Sequence, residues 1–291
     1  NYIVVSSLMA PVIVALGAKS GLIVPLIAVH LFVFYFGILA DDTPPVGLAA
    51  FAAAAISGGD PIKTGLQGFA YDIRTALLPF LFLFNTELLL IDVSWAKGVF
   101  VFIIAVIAMM LFASATQGYL FVKNRIWESA ILLLVAFTLF RPGFWLDMVD
   151  PPFDERPGAE ILKLAGAAPA GGGLRVRIEG PDVSNLDKTY ATSLVIPLGG
   201  EANGEKRLQK NGLMIMIDDG GAVLEEPLPG SPFEKLGRQV DFYGDSPVRV
   251  TAVLIPAERI WKEVFYPPAL ALLALVVYLQ RRRRSMKTAA A

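Results

Sequence analysis

The stretch Asp41-Asp42-Thr43-Pro44-Pro45 interrupts a long apolar region and decides how the first third of the chain can fold. Two consecutive prolines do not fit inside a helix, because proline lacks the backbone N–H and the residue before a proline avoids the helical region. The apolar run over residues 22–40 is therefore predicted to end before Thr43. Thr43 as an N-cap and Pro44 at the first helical position favour a second helix over residues 46–56.

This second helix is too short to cross a membrane alone. Its 11 residues, 46–56, reach roughly 16 Å at about 1.5 Å per residue, which is about half of the ~30 Å hydrocarbon core. Within a membrane, non-helical backbone is tolerated only where it is buried in protein or lines a water-filled cavity. The stretch is therefore predicted to be the break of a discontinuous membrane helix.

Further apolar runs on both sides of the break predict a multi-pass membrane protein. A helix needs about 20 apolar residues to cross a bilayer. Six segments are candidates when the broken pair counts as one, and they cover residues 3–17, 22–56, 76–91, 99–120, 126–140 and 264–279. The predicted fold class is a mainly α-helical integral membrane protein with about six membrane segments, one of them discontinuous at 41–45.

The composition agrees with this class and excludes several functions. The chain is 55% hydrophobic and 18% charged, against about 45–50% and about 25% in soluble domains. Its net charge of −1 gives no global basic field, so no nucleic-acid partner is expected. With no cysteine and one histidine, thiol catalysis and cysteine-based metal sites are excluded. We expect no enzymatic activity, no catalytic residues and no cofactor, and the sequence leaves open whether a metal is bound.

Residues 151–262 differ from the rest of the chain and predict a small β-rich domain. Residues 174–178 alternate between apolar and charged side chains, and residues 248–255 are rich in β-branched side chains. The segment Gly230-Ser231-Pro232-Phe233-Glu234-Lys235-Leu236-Gly237 is similar to the helix-starting segment of PDZ-like domains. An ordinary short helix with Ser231 as its N-cap explains this segment as well.

Basic clusters at residues 63–74, 123–125 and 281–284 predict the orientation. Cytoplasmic loops carry an excess of lysine and arginine, so these clusters and the C-terminus are placed in the cytoplasm. Residues 151–262 are then extracytoplasmic, and the basic tail can touch membrane lipid at the cytoplasmic surface. The predicted domains cover residues 1–92, 93–150, 151–262 and 263–291.

The break offers two kinds of ion site. The N-terminus of the second helix presents unpaired N–H groups to an anion, and the last carbonyls of the first helix suit a cation. Asp41 and Asp42 would each cost roughly 2.5–3.5 kcal/mol at the bilayer centre, and adjacent carboxylates resist ionising together, so one of them could carry a proton. The alternative is that the loop lies near the interface, where both acids only cap a helix.

An ordered series of motifs carries a resemblance to a known family. It comprises Gly37-Ile38-Leu39, Thr43-Pro44-Pro45-Val46-Gly47, Gly59-Asp60-Pro61, Lys63-Thr64-Gly65, Leu78-Pro79-Phe80 and Asn85. Over residues 1–92, the chain resembles the end of the large permease of tripartite ATP-independent periplasmic (TRAP) transporters, and within them the fused permeases of the TAXI branch. The remainder resembles a C-terminal extension found on some of these permeases.

This resemblance implies a function and a site. A small organic anion or amino-acid-like solute would be taken up by symport with Na⁺ or H⁺, after delivery by an extracytoplasmic solute-binding protein. The implied solute and ion site comprises Asp41, Asp42, Thr43, Pro44, Pro45, Gly47 and Asn85. The family commonly has uncharged residues at the positions of Asp41 and Asp42, so two acids favour H⁺ or an altered cation site.

A different class of function stays open. The chain could be a membrane-anchored scaffold or sensor whose domain at residues 151–262 binds a peptide or a partner protein, with the helices as anchors. The broken helix with paired acids favours the transporter, because a plain anchor uses neither feature.

Overall fold

The computed structural model describes residues 2–91, 93–201, 203–218 and 221–289, with the backbone alone described for residues 42, 74 and 287–289. Most of these residues are helical. The α-helices are α1 (Tyr2–Lys19), α2 (Leu26–Asp42), α3 (Leu48–Ser57), α4 (Pro61–Phe84), α5 (Trp95–Thr116), α6 (Ile126–Phe140), α7 (Gly143–Val149), α8 (Ile161–Ala167), α9 (Gly204–Gln209) and α10 (Tyr266–Ala289).

The strands form one antiparallel sheet in the second half of the chain. They are β1 (Phe153–Pro157), β2 (Gly173–Asp182), β3 (Asn185–Pro197), β4 (Ile215–Asp218), β5 (Gly221–Leu224) and β6 (Arg249–Pro256). The strand order is β3-β2-β6-β5-β4, and β1 also pairs with β6. The predicted β-rich domain is therefore confirmed as an antiparallel sheet.

The chain divides into two compact units. The helical unit comprises residues 1–13, 24–150 and 260–291, and the sheet unit comprises residues 14–23 and 151–259. Each unit has its own buried apolar core.

Three helices in the described residues are long and apolar enough to cross a membrane: Tyr2–Lys19, Trp95–Thr116 and Lys262–Met286. A fourth span results if Ile126–Phe140 and Gly143–Val149, which meet at 82°, count as one broken span. Multi-pass membrane character is therefore supported, whereas the predicted number of six segments stays a prediction.

The segment predicted as a span over residues 76–91 has different bounds. The helix α4 begins at Pro61, where the carboxylate of Asp60 accepts a hydrogen bond from the backbone N–H of Lys63 at 2.8 Å, and it ends at Phe84. A proline at the first position and an aspartate N-cap are both strong helix starts. The helix thus includes the polar residues before 76 and excludes residues 85–91.

The core of the helical unit lies where α5, α6 and α10 pack together. Leu132 and Val135 of α6 and Val276 of α10 have no exposed surface. Ala108 of α5 and Ala136 of α6 are equally buried. Small side chains at such positions let helix backbones approach closely, which is how membrane helices gain packing energy.

The sheet unit follows the alternation seen in its sequence. Leu174, Val176 and Ile178 of β2 are buried, whereas Arg175 and Arg177 between them lie on the other face. Strand β6 lies in the middle of the sheet: β2 pairs along one side of it, and β5 and β1 pair with its start and its end on the other.

The prediction of a capped helix over residues 230–237 is wrong in its bounds and in its N-cap. The segment contains a short 3-10 helix, Glu234–Arg238, whose N-cap is Phe233. The hydroxyl of Ser231 is buried and caps nothing. The PDZ-like fold stays a prediction.

Candidate functional site

The predicted helix break is present and lies between α2 and α3. Backbone helix stops at Asp42 and resumes at Leu48. The backbone N–H and the hydroxyl of Thr43 both donate to the carbonyl oxygen of Leu39, at 3.0 and 2.6 Å. Thr43 therefore closes the end of α2, and the prediction that it is the N-cap of the second helix is wrong.

The start of α3 is formed by Gly47. This residue is the N-cap, with φ of 35° in the left-handed region, and no side chain caps the helix. Its backbone N–H donates to the carbonyl of Thr43, and its own carbonyl accepts from Phe51. Pro44 and Pro45, joined by a cis peptide bond, lie in the turn before it, so Pro44 is not the first helical residue. Ten residues of α3 follow, about 15 Å of helix.

Asp41 and Asp42 lie in the last turn of α2 and not in the break, where they were predicted. Asp41 occupies the last turn of α2 and is exposed. The side chain of Asp42 lies outside the described residues. Since α2 includes both positions, they belong to a helix end and not to the turn. That the two acids face a transported ion stays a prediction.

Helix α4 packs closely against the break. A Cβ atom added at Gly65 would lie 2.9 Å from Cγ of Pro44 and 3.4 Å from Cβ of Ala50. Gly65 is buried, so the absence of a side chain allows α4, the Pro44 turn and α3 to meet. Two of the motifs that carry the family resemblance, residues 43–47 and 63–65, thus come together in space.

This contact gives a first prediction. Replacing Gly65 by leucine should destabilise the helical unit by about 1–3 kcal/mol, because overpacking forces the backbones apart. Thermal unfolding of the detergent-solubilised chain measures the effect. Gly68 is the matched control, since a Cβ atom there meets nothing within 4 Å, and Gly68→Leu should cost less than about 0.5 kcal/mol. Equal losses in the two variants would contradict the contact.

Asn85 lies away from the break. It caps the C-terminus of α4, and its side-chain Nδ2 donates to the carbonyl oxygen of Phe140 at 2.7 Å. Gly65, which contacts Pro44, is 20 residues earlier on the same helix, a distance of roughly 30 Å. The structure therefore does not bring Asn85 together with the residues of the break. This hydrogen bond joins the end of α4 to the end of α6, and we call this place the junction.

Three further contacts lie beside this junction. The carboxylate of Glu87 accepts from Lys97 at 2.7 Å through Oε1 and from Lys262 at 2.6 Å through Oε2. The guanidinium of Arg141 lies 4.3 Å from the ring centre of Phe84. Burial raises the pKa of the Glu87 carboxyl, but the hydrogen bonds from the two lysines outweigh burial and hold this pKa below its usual value.

A buried polar cluster joins α6 to α10. Glu128, with no exposed surface, accepts from the backbone N–H of Arg125 at 2.8 Å, from Gln280 at 3.1 Å and from Arg283 at 2.5 Å. Gln280 is equally buried and also donates to Asn124 at 2.9 Å. The sequence gives no sign of this cluster, because Gln280 of α10 lies 152 positions from Glu128 of α6.

The described residues contain no group of three or more His, Asp or Glu side chains that could hold a metal ion. The groups available for binding at the break are therefore backbone N–H and C=O groups and single side chains. Such groups suit small ions and carboxylates.

A set of apolar helices with a separate antiparallel sheet defines a multi-pass membrane protein with a folded appendage. The chain belongs to the family described as a domain of unknown function (DUF3394), whose family model matches residues 98–286. Residues 1–96 match the model described as Tripartite ATP-independent periplasmic transporter, DctM component. No curated protein and no solved structure matches the chain.

The second match supports a TRAP-type secondary transporter permease, which is a transporter class and not an enzyme class. The break at residues 43–47 and Asn85 lie inside this match. Glu128, Gln280 and the whole sheet lie inside the other. The ion pairs of Glu87 with Lys97 and Lys262 consequently join the segment that matches the permease model to the residues that follow it.

Proposed function

We propose that the chain is the C-terminal part of a TAXI-branch TRAP permease that takes up a small, carboxylate-bearing solute by symport with Na⁺ or H⁺. The observation that carries this proposal is the helix break at residues 43–47, inside the segment that matches the permease family. Secondary transporters build their sites from such discontinuous helices.

The geometry of the break supports an anion site at the start of α3. The first backbone N–H groups of a helix have no partner within that helix. At α3 no side chain takes them, because the N-cap is Gly47. Leu48 and Ala49 follow and are exposed, whereas Ala50 is buried against α4. A carboxylate bound there would also be stabilised by the positive end of the helix dipole.

The end of α2 supports a cation site next to it. Pro44 and Pro45 have no N–H to donate to the carbonyls of Ala40 and Asp41, so these two carbonyls are available to an ion. The carboxylates of Asp41 and Asp42 would add charge to these oxygen ligands, which suits Na⁺ or H⁺. The proposed site therefore comprises residues 40–47, and Asn85 is assigned to the junction.

The surrounding topology is part of the proposal. TRAP permeases work with an extracytoplasmic solute-binding protein, so the permease should dock such a protein on its outer face. In the orientation predicted from the basic clusters, residues 151–262 are extracytoplasmic and residues 281–284 lie at the cytoplasmic surface of a bacterial inner membrane, where they can contact anionic lipid.

Transport by the full-length permease tests the site. In proteoliposomes with the binding protein, Asp42→Asn should lower uptake by about tenfold or change its dependence on Na⁺ or pH, because a charged ligand of the ion is lost. Asp41→Asn and the double variant complete the series, and Asp60→Asn is the control, since Asp60 caps α4. Unchanged uptake and ion dependence in all three variants would remove the acids from the mechanism.

A membrane-anchored scaffold or sensor is a second candidate function. The observation that favours it is the sheet unit, which has a buried core of its own. Uptake by the reconstituted permease that stays normal after deletion of residues 151–259 would assign the sheet unit to a task other than transport.

A further inference from the structure

Strand β4 is an edge of the sheet. Among the described residues it pairs with β5 alone, in the register Ile215↔Leu224, Met216↔Val223 and Ile217↔Ala222. An edge strand presents unpaired N–H and C=O groups that can pair with another chain. Natural sheets usually protect such edges with charges, prolines or a covering element.

The other edge strands carry this protection. Strand β1 contains Glu155 and Arg156, and it ends at Pro157. Strand β3 carries Asp187 and Lys188, both exposed.

Strand β4 instead exposes apolar side chains on both of its faces. Met214, Met216 and Ile217 are 38%, 57% and 48% exposed. Met216 lies beside Val223, and Ile217 lies beside the buried Ala222 on the core face. Antiparallel sheets that face water usually show polar side chains on the solvated face. Exposed apolar side chains of this kind are expected of a strand that another chain covers.

The hydrogen bonds identify the free backbone groups. The N–H of Glu225 donates to the carbonyl of Met214 at 3.0 Å, and the N–H of Leu224 donates to Val248 at 2.8 Å, away from β4. Bonded and non-bonded pairs alternate along an antiparallel ladder. The N–H and C=O groups of Ile215 and Ile217 consequently point outward from the sheet.

We propose that the β4 edge, residues 214–217, binds an extended apolar segment of another protein, which adds to the sheet as a further strand. The backbone groups of Ile215 and Ile217 would supply hydrogen bonds, and Met216 and Ile217 would contact alternate apolar side chains of the segment. Asp218, the last residue of β4, accepts two hydrogen bonds of 2.8 and 3.0 Å from Arg249. Its charge is thus paired within the sheet.

The shortness of β4 favours a peptide segment over a second copy of this chain. Stable dimers bury about 1,200–2,000 Å² through roughly 20–30 residues a side, whereas β4 has four residues. A short strand added to a short edge suits a transient contact with a flexible segment. This inference deepens the second candidate function, in which the sheet unit binds a partner, and it is independent of the proposed transport.

Peptide selection on the intact chain in lipid nanodiscs tests the proposal. A phage-displayed library of random short peptides is the probe, and a selected peptide is then synthesised with a fluorescent label. We expect selected peptides to be extended and apolar at alternate positions. Their affinity should fall by roughly tenfold in Ile217→Pro, which removes one outward N–H and blocks the added strand. Hydrogen exchange of residues 213–218 should slow when the peptide binds.

Two further variants complete the test. Met216→Asp removes an apolar contact and adds an edge charge, so it should weaken binding even if Ile217→Pro loses the fold. Leu186→Asp is the matched control, because Leu186 is 65% exposed on β3, and it should bind the peptide as the wild type does. The proposal is overturned if no peptide is selected, if Met216→Asp binds normally, if protection appears at β3, or if Met216→Asp converts a dimer of the chain into monomers.

Discussion

Replacing Glu128 by alanine is expected to destabilise the helical unit by about 3–5 kcal/mol, the usual loss when one partner of a buried ion pair is removed. The Glu128 side chain is buried, whereas that of Arg283 is 21% exposed. The variant would leave the guanidinium of Arg283 and the amide of Gln280 without their shared acceptor. It would also remove the carboxylate that accepts from the N–H of Arg125 at the start of α6. The contact between α6 and α10 should loosen as a result.

Denaturant unfolding of the chain in mixed micelles measures this loss. Glu155→Ala is the matched control, because Glu155 also pairs with an arginine, Arg177, but its side chain is 57% exposed. Exposed pairs contribute about 0–1 kcal/mol. Glu128→Gln should lie between the two, since the amide keeps the shape and one acceptor. If Glu128→Ala and Glu155→Ala unfold at the same denaturant concentration, the cluster does not stabilise the fold.

Replacing Gly158 by alanine should be the most damaging single-methyl change in the sheet unit. A Cβ atom there would overlap the carbonyl oxygen of Val250 and lie 2.6 Å from its carbonyl carbon. These are backbone atoms of the central strand β6 and cannot rotate away. Overpacking of this kind costs about 1–3 kcal/mol or more, and we expect the upper end of that range or failure to fold.

Thermal unfolding followed by the β-sheet signal measures this effect. Gly200→Ala is the control, because a Cβ atom at Gly200 meets nothing within 4 Å, and its transition should stay within about 0.5 kcal/mol of the wild type. A wild-type transition in Gly158→Ala would show that β6 can shift at no cost, contrary to its place in the middle of the sheet.

Local patterns were sufficient to predict the break and the sheet. Two prolines exclude helix whatever surrounds them, and the alternation of Leu174, Val176 and Ile178 leaves one buried face for a strand. The capping role of Thr43 could not be predicted, because a threonine hydroxyl can accept from the following turn or donate to the preceding one. In this chain it donates to Leu39, and a glycine begins the second helix instead.

The junction and the polar cluster were not predictable from sequence. Asn85 bonds to a residue 55 positions away, and Glu128 bonds to one 152 positions away. Propensity and periodicity describe neighbours in sequence, so they carry no information about such partners. The family resemblance groups Asn85 with the break, although roughly 30 Å of helix α4 separates the two.

Helix α4 connects the break at its start with helix α6 at its end. Gly65 near its start touches Pro44 and Ala50, and Asn85 at its end is bonded to Phe140 of α6. A tilt of α4 by about 5° about Gly65 would displace Asn85 by roughly 3 Å, given a length of about 30 Å. That displacement exceeds the tolerance of a hydrogen bond. A rigid tilt of α4 at the break would therefore either carry α6 along or break the bond between Asn85 and Phe140.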